Sequence, residues 1–155
     1  MDYMTTLEKY IEDVGLFYER FGLAKMSGRI LGLLMATDEE KVSFDDMVIQ
    51  LQASKGSISG NINFLLKQKL IEKFMVTGDR KSYYKFSNEN VFSLIDSKLD
   101  ATEYVKQIFM RGNELHKDKE SAKHKNISEV IQFYDFLEEE LPKLKEKWKS
   151  LKKTG

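Results

Sequence analysis

The 155 residues contain no cysteine, which removes disulfides, thiolate metal sites, iron–sulfur clusters and thiol nucleophiles together. Histidine occurs twice, at His116 and His124, and proline once, at Pro142. Long apolar runs are missing as well. The longest, Ile30 to Ala36, has seven residues against the ~20 a membrane-spanning helix needs. The acidic start lacks the basic-then-apolar order of a signal peptide, so a cytoplasmic protein with no membrane partner is expected. Net charge is absent too, with 25 basic and 25 acidic side chains. What is present is 41% hydrophobic and 32% charged residues, enough for a buried core in a folded chain of one domain, residues 1–155.

The balanced charge is unevenly spread. Residues 1–40 hold four basic and eight acidic groups, residues 41–87 eight and four, and residues 88–155 thirteen of each. The lysine-rich end, Lys143 to Lys153, reads as a solvated helix face.

Leu7, Tyr10, Val14, Phe17 and Phe21 recur at three- and four-residue steps, predicting an amphipathic helix over 5–21 stopped by Gly22. Ser27 is expected to cap a second, buried helix that ends before Asp38. Ser43 followed by Asp45 and Asp46 starts a short third helix ending near Gln52. Ser54 caps a fourth, residues 54–68, whose inward stripe is Ile58, Ile62, Leu65 and Leu66. Two runs rich in aromatic and branched residues, 70–76 and 82–87, flank a Gly78-Asp79 corner and read as a β-hairpin tipped by Arg80 and Lys81. A long helix over 90–115, a polar connector over 116–126 and a heptad-patterned helix over 127–151 complete the chain, with a kink or restart expected at Pro142.

The outward face of the fourth helix differs from an ordinary surface helix. Gly56, Gly60, Asn63 and Lys67 point away from the apolar stripe, flanked by Lys55, Ser57, Ser59 and Asn61, and no carboxylate is among them. Two glycines there cost about 0.5–1 kcal/mol each relative to alanine, for which a purely structural helix has little reason. Helix, short helix, polar-faced helix and basic-tipped hairpin follow in the order of a winged helix-turn-helix. In that arrangement a helix enters the ~12 Å major groove and the hairpin the adjoining minor groove of double-stranded DNA. The fold class is therefore mainly α with a small β-hairpin wing. The winged helix-turn-helix spans 27–87, the wing 76–83, and helical dimerisation regions 1–22 and 88–155. Candidate DNA-contacting residues are Ser54, Lys55, Gly56, Ser57, Ser59, Gly60, Asn61, Asn63, Lys67, Arg80 and Lys81. The flanking helices carry more apolar surface than 27–87 can cover, which implies a homodimer on a pseudo-palindromic operator. The competing reading is a winged-helix module that docks protein rather than DNA.

Ser54-Lys55-Gly56-Ser57-Ile58-Ser59, then Leu65, Leu70-Ile71 and Gly78 to Tyr84, resemble the GbsR-type branch of the MarR-like transcriptional regulators. Phe21-Gly22-Leu23 and Gly28 to Gly32 look like that branch's upstream segment. The resemblance implies a dimeric winged-helix regulator, usually a repressor, under small-molecule control that includes choline in the branch's namesake. Ala24 stands where a proline is common, Lys69 where a glycine usually ends the recognition helix, and Asn63 where Arg or Lys is frequent.

A quaternary ammonium effector would be held over aromatic faces, for which Tyr18, Phe21, Tyr104 and Phe109 are candidates, although core packing accounts for them equally well. His116, Glu120 and His124 stand at four-residue steps, but on one continuous helix the histidines would be ~12 Å apart, so no metal site is expected. There is no phosphate-binding glycine loop and no acid/base pair. The chain is thus expected to be no enzyme and to carry no cofactor.

Overall fold

The computed structural model describes residues 4–153. Helices α1 (Thr6–Arg20) and α2 (Lys25–Ala36) precede a two-residue strand β1 (Val42–Ser43), then helices α3 (Phe44–Leu51) and α4 (Lys55–Lys67). Strands β2 (Ile71–Met75) and β3 (Ser82–Phe86) follow, then a 3-10 turn (Glu89–Phe92) and helices α5 (Ser93–Glu114) and α6 (Ala122–Lys153). The chain divides into two compact units, one ending at Asn90 and one beginning at Val91.

In the first unit, α1 starts on a reciprocal cap. The Thr5 side chain accepts from the Glu8 backbone N–H at 3.1 Å, and the Glu8 carboxylate accepts from the Thr5 N–H at 2.7 Å. Gly22, at φ +75°, terminates it. A Cβ added at Gly28 would stand 2.6 Å from the Val14 carbonyl oxygen, so glycine there lets α2 lie directly against α1. Glu12 on α1 ties the two helices electrostatically, 3.1 Å from the Lys25 ammonium and 2.8 Å from Arg29 Nε. The Lys25 hydrogen bond, helped by the charge of Arg29, holds the Glu12 carboxyl below its ordinary value against the opposing effect of burial.

Behind these helices lies the core, in which Ile30, Leu33, Met47, Leu51, Ile58 and Leu65 are fully buried. The sheet is antiparallel in the order β1-β3-β2, with Val42 opposite Tyr84 and Phe74 opposite Tyr83. Its third strand, β1, went unread in the sequence because two residues show no alternation.

Several boundaries move. Helix α2 begins at Lys25 after Ala24, which offers no side-chain cap, and Ser27 is a wholly buried residue rather than a cap. Its spacing to Leu31 and Leu34 places it on the core face. Helix α6 begins five residues earlier than expected, because the Ser121 hydroxyl accepts the His124 N–H at 3.2 Å. It then runs through Pro142 with no restart.

The second unit is an antiparallel pair, α5 against α6. The Lys106 ammonium bridges Asp135 at 3.0 Å and Glu138 at 2.7 Å, and Lys145 meets Asp96 at 2.8 Å. Bonding to Glu138 first and Asp135 second raises Lys106 above its ordinary value. Among the described residues no helix is long and apolar enough to cross a membrane.

Candidate nucleic-acid interface

Helix α4 is built as a two-faced element. Ser54, in extended backbone, accepts the Ser57 N–H on its hydroxyl at 3.1 Å and starts the helix. Ile58, Ile62 and Leu65 anchor one face in the core, so the opposite face must point out. Ser54, Lys55, Gly56, Ser59, Gly60, Asn63 and Lys67 are all exposed, and Ser57 is half-buried. No carboxylate lies on the helix, and neither Lys55 nor Lys67 forms an ion pair among the described residues. The uncapped N–H groups of the first turn add partial positive charge at the same end.

Two kinds of glycine separate packing from clearance. Added Cβ atoms at Gly15, Gly28 and Gly32 would meet neighbours at 2.9, 2.6 and 3.2 Å. Those glycines are consumed by the contact between α1 and α2. At Gly56 and Gly60, as at Gly112 on α5, nothing lies within 4 Å. No internal contact demands them, and their helix cost of about 0.5–1 kcal/mol each is unoffset inside the chain.

Asn61 is different from its neighbours. Its Oδ1 accepts from the buried Ser27 hydroxyl at 2.7 Å, while its Nδ2 donates to the Ser57 carbonyl at 2.7 Å. Half-buried and occupied at both ends, it locks α4 to α2 instead of facing outward with the ridge. The sequence did carry a hint, since Asn61 lies three residues after Ile58 and four before Leu65, at the edge of the inward stripe.

The wing tip is rigidly set. Gly78 turns at φ +85°, and the Asp79 N–H donates to the Val76 carbonyl at 2.9 Å. The Asp79 carboxylate accepts from the Tyr83 hydroxyl at 2.5 Å and from the Lys81 N–H at 2.9 Å. The Tyr83 bond, then that of Lys81, holds the Asp79 carboxyl below its ordinary range, and the same contact pushes the Tyr83 hydroxyl up. Lys41 Nζ sits 4.4 Å over the Tyr83 ring. This clamp was missed in the sequence; the four-residue step from Asp79 to Tyr83 across the turn is the only signal it leaves. Arg80 and Lys81 are exposed, and among the described residues Arg80 takes part in no hydrogen bond or ion pair.

The aromatic candidates are not gathered within either unit. Tyr18 is a core residue, its hydroxyl pushed up by burial, and Phe21 is exposed with its ring 4.9 Å from that of Phe17. Phe109 is half-buried with its ring 6.0 Å from that of Tyr134, whereas Tyr104 is 73% exposed. A shallow apolar groove in the first unit is lined by Asp13, Val14, Phe17, Tyr18, Leu31 and Met35. Among the described residues no three His, Asp or Glu side chains cluster as a metal site. The separation expected of the histidines is nevertheless overturned: a turn, not a continuous helix, joins them, and their Nδ1 atoms lie 3.3 Å apart.

No family model matches the chain. A curated relative, the HTH-type transcriptional regulator MmpR5 of Mycobacterium tuberculosis, is 35% identical over 77 residues, covering 50% of this chain and 47% of its own length. The chain thus spans about half the length of the curated relative it matches. A crystal structure described as a transcriptional regulator superposes with a TM-score of 0.70 at 22% identity, over 94% of this chain and 99% of that one. That likeness shows the fold, a winged helix with flanking helices. A Staphylococcus aureus MepR–DNA complex, at TM-score 0.43 and 17% identity over 80% of this chain and 88% of its own, is more distant.

Proposed function

We propose that this chain is a double-stranded DNA-binding transcriptional regulator acting as a homodimer, a repressor of the GbsR-type, MarR-like kind. Helix α4 enters the major groove and the tip between β2 and β3 reaches the adjoining minor groove. The single observation that carries the reading is the exposed, carboxylate-free ridge of α4, on which Gly56 and Gly60 leave open space beside Lys55, Asn63 and Lys67. A phosphate backbone or base edge needs that clearance, and nothing inside the chain does. The relative's printed role as a transcriptional regulator supports the same assignment.

The partner of the second unit is another copy of this chain. Leu94, Tyr104 and Ile108 on α5, Leu115 just after it, and Phe133, Phe136, Leu144, Trp148 and Leu151 on α6 are all exposed. Such continuous apolar faces exceed what a lone soluble chain leaves bare, and a two-fold pairing covers both copies at once. It would set two α4 helices about 34 Å apart, matching one DNA turn on a pseudo-palindrome. A cationic apolar effector, such as a quaternary ammonium compound, fits the groove at Phe17 with Asp13 as counter-charge.

The test is selection of genomic DNA fragments on the full chain, followed by salt titration of the enriched sequence. Affinity falls with salt, and Lys55→Ala or Arg80→Ala each flattens the log–log slope by about 0.9. Enrichment of no fragment, or binding that ignores salt, overturns the assignment.

A further inference from the structure

The turn between α5 and α6 holds a group that DNA binding does not use. His116 follows the end of α5 by two residues and His124 sits in the first turn of α6. Both are half-buried, their rings are inclined at 72°, and their Nδ1 atoms, 3.3 Å apart, share a hydrogen bond that a bound metal ion would replace. Two imidazole nitrogens on one tetrahedral zinc-like ion, each at about 2.0–2.1 Å, are about 3.3 Å from one another, so the spacing is that of two adjacent tetrahedral corners.

A second observation lies beside the pair. Asn113 is 93% buried by its 7% residual exposure, and its Oδ1 has no hydrogen-bond partner. Native interiors rarely leave a buried acceptor unmet without a donor such as bound water. Asn113 is tied to both histidines: its carbonyl accepts the His116 N–H at 3.3 Å, and its Nδ2 donates to Ser128 Oγ at 3.0 Å, which donates to the His124 carbonyl at 2.9 Å. The backbone of both histidines is therefore held through one residue. Lys119, the nearby cation, is held on the carbonyls of Asn113 and Glu114 at 3.5 and 3.0 Å.

We infer that His116 and His124 bind one transition-metal dication of the zinc, nickel or copper class at the α5–α6 turn, with water completing its shell. Two neutral imidazoles select those ions over magnesium or calcium, which prefer oxygen. Such an ion staples the end of α5 to the start of α6, and the unpartnered, buried Asn113 Oδ1 is assigned as acceptor for a water on the metal. Glu120, midway between the histidines in sequence, is 3.2 Å from Lys125 and exposed, and is not needed for the pair.

The experiment uses the untagged full chain stripped with chelator. Titration calorimetry with Zn2+ and Ni2+, and electron paramagnetic resonance with Cu2+, are expected to give one ion per chain with two coordinated imidazoles. Mg2+ is expected to give none. His116→Gln and His124→Gln abolish that site, and Asn113→Ser weakens it about tenfold or more. Zn2+ raises the melting temperature of the wild-type chain and leaves that of folded His116→Gln/His124→Gln unchanged. No binding to the wild-type chain, or equal binding to the doubly substituted one, overturns the site. A double variant that fails to fold leaves the resonance signal of wild-type protein to decide, because a copper spectrum lacking two nitrogens contradicts the assignment by itself.

Discussion

Every buried hydrophobic side chain among the described residues lies between Ile11 and Tyr84, in the first unit, whereas the second unit buries only Thr102 and Asn113, both polar. In the first unit, residues of α1, α2, α3 and α4 meet in one sealed core, although Leu16 and Phe17 on α1 and Ile49 on α3 stay exposed. In the second, α5 and α6 meet along one seam through residues that stay half-exposed, and a further face of each helix is left bare. Ordering those residues costs about 1–2 kcal/mol of backbone entropy apiece, which a helical pair without a sealed core does not offset. The contrast separates what the chain does alone from what it does in company.

The sharpest way to break that contrast is a core cavity in the first unit. Leu33→Ala, at a site with no exposure, is expected to lower the unfolding free energy by about 2–5 kcal/mol. Denaturant melts followed by circular dichroism measure it. A loss below about 1 kcal/mol would mean that the first unit is not the seat of stability.

The second unit should fail in another way. Phe136→Glu combined with Trp148→Glu alters side chains that are 55% and 43% exposed, so no core is lost. The expected outcome is monomer by analytical ultracentrifugation and about 100-fold or more weaker binding to a two-half-site operator, with little change for a single half-site. A variant that still sediments as a dimer would remove the pairing face from α6.

How far the sequence disclosed this division depends on the kind of pattern each part uses. The amphipathic stripe of α4 and the hydroxyl caps Ser43 and Ser54 are local, and the structure places them where the spacing predicts, whereas on α1 the buried line is Ile11, Gly15 and Tyr18 and the expected Tyr10, Phe17 and Phe21 stay exposed. The exposed ridge was equally legible, because Ile58, Ile62 and Leu65 fix which side of α4 faces out. What was not legible depends on long-range contact. Ser27 reads as a cap until Asn61, 34 residues away, is seen to accept its proton. The histidines read as ~12 Å apart until the chain reverses between them. Strand β1 is too short to show any period and exists only because β3 pairs with it.

The wing offers a subtler comparison, since its order comes from a side-chain clamp. Tyr83→Phe or Asp79→Asn removes the contact that holds the tip and is expected to weaken operator binding by about threefold to tenfold, with fold and dimer intact. The pH dependence follows from the sign of the shift. Asp79 has a folded value below its ordinary 3.8, so its contribution is fully present above that value and is lost as pH falls through the lower folded one. The clamp is therefore constant from about pH 5 to 8. Anisotropy titrations across that range should show the variant-to-wild-type ratio unchanged; a ratio that drifts would place another titrating group at the tip.

The smallest effect tests whether local backbone strain in the first unit is felt globally. Lys69 holds φ +58° just after α4, a left-handed position that glycine fills at Gly22 and Gly78. A side chain there costs about 1–2 kcal/mol in strain, partly offset by the lower unfolded-state entropy of a non-glycine residue. Lys69→Gly is thus expected to raise stability by about 0.5–1 kcal/mol. Lys69→Ala removes the same charge but keeps the strain, and should gain nothing. Because the Leu70 N–H bond to the Leu65 carbonyl at 3.1 Å joins the end of α4 to the start of β2, the gain belongs to the unit carrying the core and should appear in its melt at every protein concentration. If it appears only where the chain is dimeric, the first unit does not stand alone and the contrast between the two units fails.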